Sequence, residues 1–91
     1  MGAGEPIQRV VTLGHENGLH LTPIQLLVRK STDFESDISI KFDGKVASAK
    51  SALELMVLGP TKGALLDVEA KGVDAEEAIQ VVSSILEGRE G

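Results

Sequence analysis

The 91-residue sequence contains no cysteine, no tryptophan and no tyrosine, and phenylalanine occurs only twice. Without thiols, the chain cannot form disulfide bonds, thiolate metal sites or a thiol nucleophile. With two aromatic rings, it has almost nothing on which nucleic-acid bases could stack. These absences argue against a disulfide-stabilised scaffold and against a stacking-based nucleic-acid site.

Positive charge is also scarce, because 9 Lys and Arg residues stand against 14 Asp and Glu residues and give a net charge of −5. The basic residues are scattered along the chain, so phosphate backbones would be repelled. A long apolar run is missing as well, which argues against membrane insertion. We therefore expect a cytoplasmic protein that binds neither nucleic acid nor a membrane.

The strands are predicted from alternation of apolar and polar residues. This alternation indicates strands at residues 7–13, 37–42 and 66–70. After the second of these, Asp43-Gly44 is the dipeptide expected in a two-residue hairpin, so a further strand should pair with it directly. The hairpin register predicts two facing pairs, Ile40 with Ala47 and Ile38 with Ala49.

The helices are predicted from capping signals and helical spacing of apolar residues. Ser51 and Glu54 have the spacing of a capping box, and Asp74 and Glu77 repeat it. Glycines at positions 59 and 88 then end these two helices. Together with an earlier amphipathic segment, the helices are expected at residues 21 to about 34, 52–58 and 75–87.

The order of elements is therefore strand, helix, strand, strand, helix, strand, helix. Each of the four strands has one apolar face, and a single layer of helices can bury these faces with its own apolar residues. We predict an α+β two-layer open-faced sandwich, with a four-stranded antiparallel sheet covered on one face by three helices. We expect residues 1–91 to form one domain, with an ordered core at about residues 6–87.

The segment at residues 17–23 reads NGLHLTP and places a histidine at the start of the first helix. Its glycine permits a tight turn, and its proline fits a first helical turn, where no N–H partner is needed. An imidazole at this position can act as a nucleophile at neutral pH, and the free amides of Leu21 and Thr22 are expected to point towards any anion that it acquires. We predict a phosphate site formed by His20, Leu21, Thr22 and Asn17. The alternative is that His20 is only a polar cap.

This segment resembles the active-site motif of the HPr family, the histidine-containing phosphocarriers of the bacterial phosphotransferase system, whose pattern is Asn-Gly-Leu-His-x-Arg-Pro. The resemblance extends over roughly residues 6–87 and includes Asp43-Gly44-Lys45, Ala49-Lys50-Ser51, Leu58-Gly59 and Lys62-Gly63. It implies the predicted fold and a carrier more than a true enzyme, with no cofactor. His20 would accept a phosphoryl group from enzyme I and pass it to sugar-specific acceptors.

One position departs from the family pattern, because Thr22 stands where the family has arginine. Arginine offers a charged fork to phosphoryl oxygens, whereas threonine donates one neutral hydrogen bond. Charged hydrogen bonds contribute about 1.5–3 kcal/mol and neutral ones about 0.5–1.5 kcal/mol, so transfer should slow about ten-fold. Lys30 and Lys62 are the candidates for charge supplied from elsewhere.

Ser51 has a structural role as the expected N-cap of the second helix. The resemblance adds a second role, since the matching serine in many HPr proteins is phosphorylated by an ATP-dependent HPr kinase. A phosphate at a helix N-terminus is favourable, but Glu54 lies close enough to oppose it. Regulation at Ser51 is therefore an open alternative.

The second helix is too short to bury all its apolar side chains, so Leu53 and Met56 are expected to be partly exposed. In the family, this helix and the start of the first helix contact enzyme I and other partners. The resemblance therefore implies a docking surface of Leu21, Leu53 and Met56. We expect the protein to be a monomer.

Two further functions remain open. An HPr-like regulatory adaptor, controlled at Ser51 or by slow phosphorylation of His20, would have little role in transport. A small ligand-binding regulatory domain would need a pocket between helices and sheet. His15 and His20 suggest a metal, but their spacing of five does not place two ligands on one helix face, so we expect no metal and a solvated His15.

Overall fold

The computed structural model describes residues 5–89 and shows a single sheet with helices on one side. The elements follow the predicted order: β1 (Ile7–Thr12), α1 (Leu21–Ser31), β2 (Asp37–Phe42), β3 (Lys45–Ser48), α2 (Ala52–Leu58), β4 (Leu65–Lys71) and α3 (Ala75–Glu87). All strand pairs are antiparallel, and the sheet order is β1-β4-β2-β3. The predicted α+β open-faced sandwich is confirmed.

The β2–β3 hairpin has the register that its turn dipeptide predicts. Asp43 and Gly44 both have positive φ, 54° and 78°, as a two-residue turn of this kind requires. Ile40 pairs with Ala47, and the amide of Ala49 donates to the carbonyl of Ile38 at 2.9 Å. The small, buried alanines leave room for α2, which packs against β3.

The core lies between the sheet and the helices. The inward residues of β2 and β4 are buried, whereas their neighbours on the opposite face are partly or fully exposed. The widest helical contribution comes from α3, whose buried apolar residues are Ala75, Ala78, Ile79, Val82, Ile85 and Leu86. Among residues 5–89, no helix has the length and apolarity needed to cross a membrane.

The first helix is shorter than predicted, since α1 ends at Ser31 and not near Phe34. After Ser31 the backbone tightens: the amide of Asp33 donates to Lys30 at 3.2 Å and that of Phe34 donates to Ser31 at 3.1 Å. Such three-residue bonds are typical of a helix end. They turn the chain so that Phe34 packs against the core.

The start of α3 differs from the predicted capping box. Asp74 holds the N-cap position, but its side chain makes no cap hydrogen bond. Instead, its carboxylate accepts the Ser36 hydroxyl and the amides of Glu35 and Ser36, at 2.9 and 3.0 Å. The Ser36 hydroxyl and the Glu35 amide hold the pKa of Asp74 below its ordinary value. The carboxylate therefore holds the loop that precedes β2 against the start of α3.

Candidate functional site

The loop that joins β1 to α1 is held from two sides. At its beginning, the amide of Gly14 donates to Leu86 of α3 at 2.9 Å. Near its end, the amide of Leu19 donates to Pro60, in the segment after α2, at 3.1 Å. These bonds place the end of the loop, and with it the start of α1, at a fixed position on the fold.

Two glycines make this close approach possible. A Cβ atom on Gly14 would lie 2.2 Å from the carbonyl oxygen of Glu87. Gly18 has a φ of 74°, and a Cβ atom there would lie 2.7 Å from the carbonyl oxygen of Pro60. A side chain at either position would push the loop away from the segments that support it. Glycine is therefore required at position 18 both by the positive φ and by the lack of space for a Cβ atom.

His20 is the N-cap residue of α1, but its imidazole does not cap the helix. Its carbonyl oxygen accepts the amide of Ile24 at 3.1 Å, whereas its half-buried side chain makes no cap hydrogen bond. The interpretation of His20 as only a polar cap is therefore wrong. Among the hydrogen bonds described for residues 5–89, none involves the His20 ring.

The start of α1 is open to an anion. The amides of Leu21 and Thr22 have no backbone acceptor among the hydrogen bonds described for residues 5–89. The first turn also contains no acidic residue that would compete for the positive end of the helix dipole. Both properties favour a negatively charged group bound next to the His20 ring.

An open groove of about 770 Å³ extends from His20 along α1. Its walls combine the two histidines, one face of α1 and the C-cap of α3, with lining residues His15, His20, Thr22, Pro23, Gln25, Leu26, Arg29 and Gly88. The groove brings the predicted site residues His20 and Thr22 together. Asn17 and Leu21, which are both exposed, do not line it.

His15 is not the solvated loop residue that the sequence predicts. Its Nε2 atom lies 2.6 Å from the carbonyl oxygen of Ile85, and its ring centroid lies 6.4 Å from that of His20 at an angle of 81°. Because a carbonyl oxygen only accepts, Nε2 carries the hydrogen of this bond. His15 is therefore a half-buried neighbour of the site that ties the loop to the end of α3.

The groove contains an arginine that the sequence analysis does not identify. Arg29 lines it, whereas Lys30 and Lys62, the two predicted sources of charge, do not. Lys62 instead forms an exposed ion pair with Glu16 at 2.6 Å, which lowers the pKa of Glu16. The sequence does carry a signal for Arg29, because it follows Thr22 by seven positions and so lies on the same helix face.

The start of α2 is capped by Ser51, as predicted. The Ser51 hydroxyl accepts the amide of Glu54 at 3.2 Å. The reciprocal half of the capping box is absent, because the Glu54 carboxylate accepts the amide of Ser48, at 2.7 Å, and not that of Ser51. Glu54 therefore secures the end of β3 to α2.

The apolar surface predicted on α2 is exposed. Leu53 is 72% exposed and Met56 55%, while Leu55 and Leu58 face the core. Leu21, at the start of α1, is 56% exposed. Val57 is an exposed member of this surface that the sequence analysis does not name.

Metal ligands do not converge in the described part of the chain. Within residues 5–89, no group of three or more His, Cys, Asp and Glu side chains is placed to hold a metal ion. The paired rings of His15 and His20 thus remain two side chains without a third ligand.

The fold and the His20 site together define a class: a small α+β sandwich that places a half-buried histidine at a helix start whose first amides have no backbone acceptor among the bonds described for residues 5–89. A protein-family model described as the phosphotransferase-system HPr component phosphorylation site matches residues 7–88. The chain belongs to the HPr family of phosphocarriers of the phosphotransferase system.

Individual relatives agree with this family over most of their length. The chain is 35% identical over 80 residues to the phosphocarrier protein HPr of Vibrio cholerae, covering 88% of this chain and 94% of the relative. The crystal structure of HPr from Bacillus anthracis is similar, with a TM-score of 0.85, 33% identity and coverage of 89% and 96% of the two chains. A swapped dimer of Crh, a catabolite repression protein of Bacillus subtilis, has a TM-score of 0.76, 29% identity and coverage of 93% and 98%.

Proposed function

We propose that His20 of this HPr-family protein accepts a phosphoryl group from a phosphohistidine on enzyme I and passes it to sugar-specific acceptor proteins. The observation that carries this proposal is the free His20 imidazole, which starts α1 without capping it and faces the groove. We further infer that the protein works as a cytoplasmic monomer, without a cofactor or a metal ion.

The transfer consists of one substitution at phosphorus. A ring nitrogen of neutral His20 attacks in line and forms an N–P bond, while the N–P bond to the donor imidazole breaks and its electron pair returns to the donor ring. The donor ring takes up a proton, and the His20 ring releases the proton on its other nitrogen. Little covalent work falls to the protein, so positioning and charge stabilisation determine the rate.

The phosphoryl oxygens would be bound at the start of α1. The unpartnered amides of Leu21 and Thr22 donate to them, and the Thr22 hydroxyl adds a neutral hydrogen bond. Asn17 is a further donor on the exposed turn that precedes the helix. Because these groups are in place before the donor arrives, they need little rearrangement during transfer.

Enzyme I would bind on the exposed apolar surface beside this site. Leu53 and Met56 project from α2, and Leu21 projects from α1, which packs directly against α2. A flexible methionine within such a surface suits contacts with several different partners. The proposed docking surface therefore consists of Leu21, Leu53 and Met56, extended by Val57.

The proposal is tested by incubating the protein with phosphoenolpyruvate and a cognate enzyme I and measuring its intact mass. We expect a single phosphoryl addition that is labile in acid and stable in base, as a phosphorylated histidine is. Absence of any addition under conditions in which enzyme I phosphorylates another HPr would contradict the carrier function. A base-labile addition would point to a hydroxyl group.

A regulatory adaptor is the second candidate, favoured by Thr22 in the groove and by the similarity to Crh, a catabolite repression protein. A phosphoryl group on Ser51 would disturb its hydrogen bond with the Glu54 amide and would add negative charge near the Glu54 carboxylate. Incubation with ATP and an HPr kinase/phosphorylase tests this route. Phosphorylation at Ser51 with negligible transfer through His20 would favour the adaptor.

A further inference from the structure

The His20 site lacks one charge that its chemistry needs. A phosphoryl group carries negative charge on several oxygens, and at position 22 this chain offers a neutral hydroxyl in place of a guanidinium. Lys62 is engaged with Glu16, and Lys30 does not line the groove. A positively charged side chain on the groove wall would therefore have a defined role in phosphoryl binding.

Arg29 is that side chain. Thr22, Gln25 and Arg29 follow one another along a single face of α1, and all three line the groove that begins at His20. Seven residues of helix separate Thr22 from Arg29 by about 10.5 Å, but helical side chains lean towards the N-terminus. This lean directs the Arg29 side chain back along the groove towards Thr22.

The Arg29 side chain is also available. It is exposed, and the ion pairs described within residues 5–89, Lys62 with Glu16 and Arg89 with Glu87, do not involve it. Arg29 lies in the last turn of α1. Lys30 shares that turn but not the groove, which makes it a matched control.

We propose that the Arg29 guanidinium contacts the phosphoryl group on His20 and supplies the charge that Thr22 lacks. The inference rests on the proposed function, because it assigns a phosphoryl-binding residue to the same site. A guanidinium fork donates two parallel hydrogen bonds to phosphoryl oxygens, whereas the Thr22 hydroxyl donates one neutral bond.

The first experiment avoids enzyme I. Phosphoramidate phosphorylates histidine chemically: the N–P bond to the ring forms, the P–N bond of the reagent breaks, and ammonia leaves. After phosphorylation of His20, located by the NMR signals of its ring, we expect the Nε–Hε signal of Arg29 to shift while the Nζ signal of Lys30 stays in place. An unmoved Arg29 signal in protein phosphorylated on His20 would overturn the inference, whatever enzyme I does.

The second experiment measures single-turnover transfer from phosphorylated enzyme I at constant ionic strength. Arg29→Gln should slow transfer about five- to ten-fold, and Lys30→Gln less than about two-fold, because only the groove residue contacts the phosphoryl group. Equal effects of the two variants would mean that Arg29 acts only as a general surface charge and does not contact the phosphoryl group. Affinity for unphosphorylated enzyme I, measured in parallel, separates phosphoryl binding from docking.

A double variant tests whether positions 22 and 29 serve the same purpose. Thr22→Arg should restore transfer in Arg29→Gln and should help less in the parent protein, since neighbouring residues with a shared partner are not additive. Equal gains in both backgrounds would contradict a shared role. If the parent protein accepts no phosphoryl group from enzyme I, the carrier function fails, while the phosphoramidate experiment still decides the role of Arg29.

Discussion

The starts of α1 and α2 are both candidate phosphorylation sites, but their first side chains are used in opposite ways. His20 occupies the N-cap position and makes no cap hydrogen bond, so its ring is free for chemistry. Ser51 occupies the same position on α2, and its hydroxyl is engaged with the amide of Glu54. Of these two side chains, that of Ser51 is engaged in capping and that of His20 is not.

The two regions also differ in what surrounds them. The His20 ring faces a groove of about 770 Å³ with a second histidine and an arginine, whereas Ser51 is followed by the Glu54 carboxylate, which is bound to the amide of Ser48. The positive charge of Arg29 in the groove favours an incoming anion, and a carboxylate near Ser51 opposes one. The start of α1 therefore combines a groove and positive charge, whereas the start of α2 combines a filled cap and negative charge.

His20→Ala removes the uncapped side chain at the start of α1. We expect complete loss of labelling from phosphoenolpyruvate and enzyme I. The thermal midpoint should hardly change, because no cap bond worth about 0.5–2 kcal/mol is lost. Intact mass and a thermal melt measure the two effects. His15→Ala, the control, should still label, and loss of labelling in that variant alone would move the site to His15.

Met56→Asp tests whether the α2 surface is used for docking. A carboxylate at this partly exposed position should weaken enzyme I binding by about ten-fold or more, because charge disrupts an apolar contact. Titration calorimetry and a thermal melt on the same sample measure affinity and stability. Val73→Asp is the control, since Val73 is an exposed apolar residue, at 78%, outside the proposed surface. An equal loss in both variants would remove Met56 from the interface.

Thr22→Arg sharpens the description of the α1 end. An added guanidinium beside the free amides should raise the transfer rate by up to about ten-fold. The fold should tolerate it, because position 22 is exposed in the first turn of α1. Single-turnover transfer at fixed salt prevents long-range attraction from being mistaken for a local effect. A slower variant would indicate a site adapted to threonine and would favour the regulatory adaptor.

Ser51→Ala is the counterpart of His20→Ala. Loss of a true N-cap costs about 1 kcal/mol, which lowers the thermal midpoint of a domain of this size by about 4–8 °C. Labelling at His20 should be unchanged, because the Ser51 hydroxyl does not line the His20 groove. If Ser51→Ala leaves the midpoint where it is while His20→Ala lowers it, the assignment of the two capping roles is reversed.

The smallest expected effect concerns Asp74, whose carboxylate is used for tertiary hydrogen bonds. Hydrogen bonds from Ser36 and Glu35 lower its pKa in the folded state from the ordinary 3.8, so its stabilising contribution is present above that pH and is lost as pH falls through the lowered value. Asp74→Asn should therefore flatten the decline of the thermal midpoint between pH 6 and pH 3. Asp33→Asn, an exposed control, should decline like the parent protein.

Most of the fold can be predicted from the sequence, because the signals for strands, turns and helix ends each lie within a few neighbouring residues. Alternation in β2 and the Asp43-Gly44 turn together determine which faces are buried and which residues pair, as Ile40 and Ala47 show. The same reasoning places His20 at the start of α1, since proline and glycine restrict the backbone locally.

Short-range patterns do not predict hydrogen bonds between residues that are far apart in the chain. Asp74 bonds to Ser36, and His15 bonds to Ile85, across separations of 38 and 70 residues. Spacing rules for capping boxes consider the next three or four residues, so they predict a cap where the carboxylate has a better tertiary partner. Arg29 is not identified from the sequence for a related reason, because its place in the groove depends on His15 and the end of α3.

The loop that carries His20 is bonded to Leu86 on one side and to Pro60 on the other, with glycines at both close approaches. The conformational entropy of this loop is therefore lost once, when the chain folds, and not again at each encounter with a partner. A carrier that exchanges partners repeatedly gains from such preordering. The favourable free energy of its contacts with a partner is then not offset by the entropy cost of ordering the loop. Amide hydrogen exchange slow at Gly14 and Leu19, with and without partners, would be its signature.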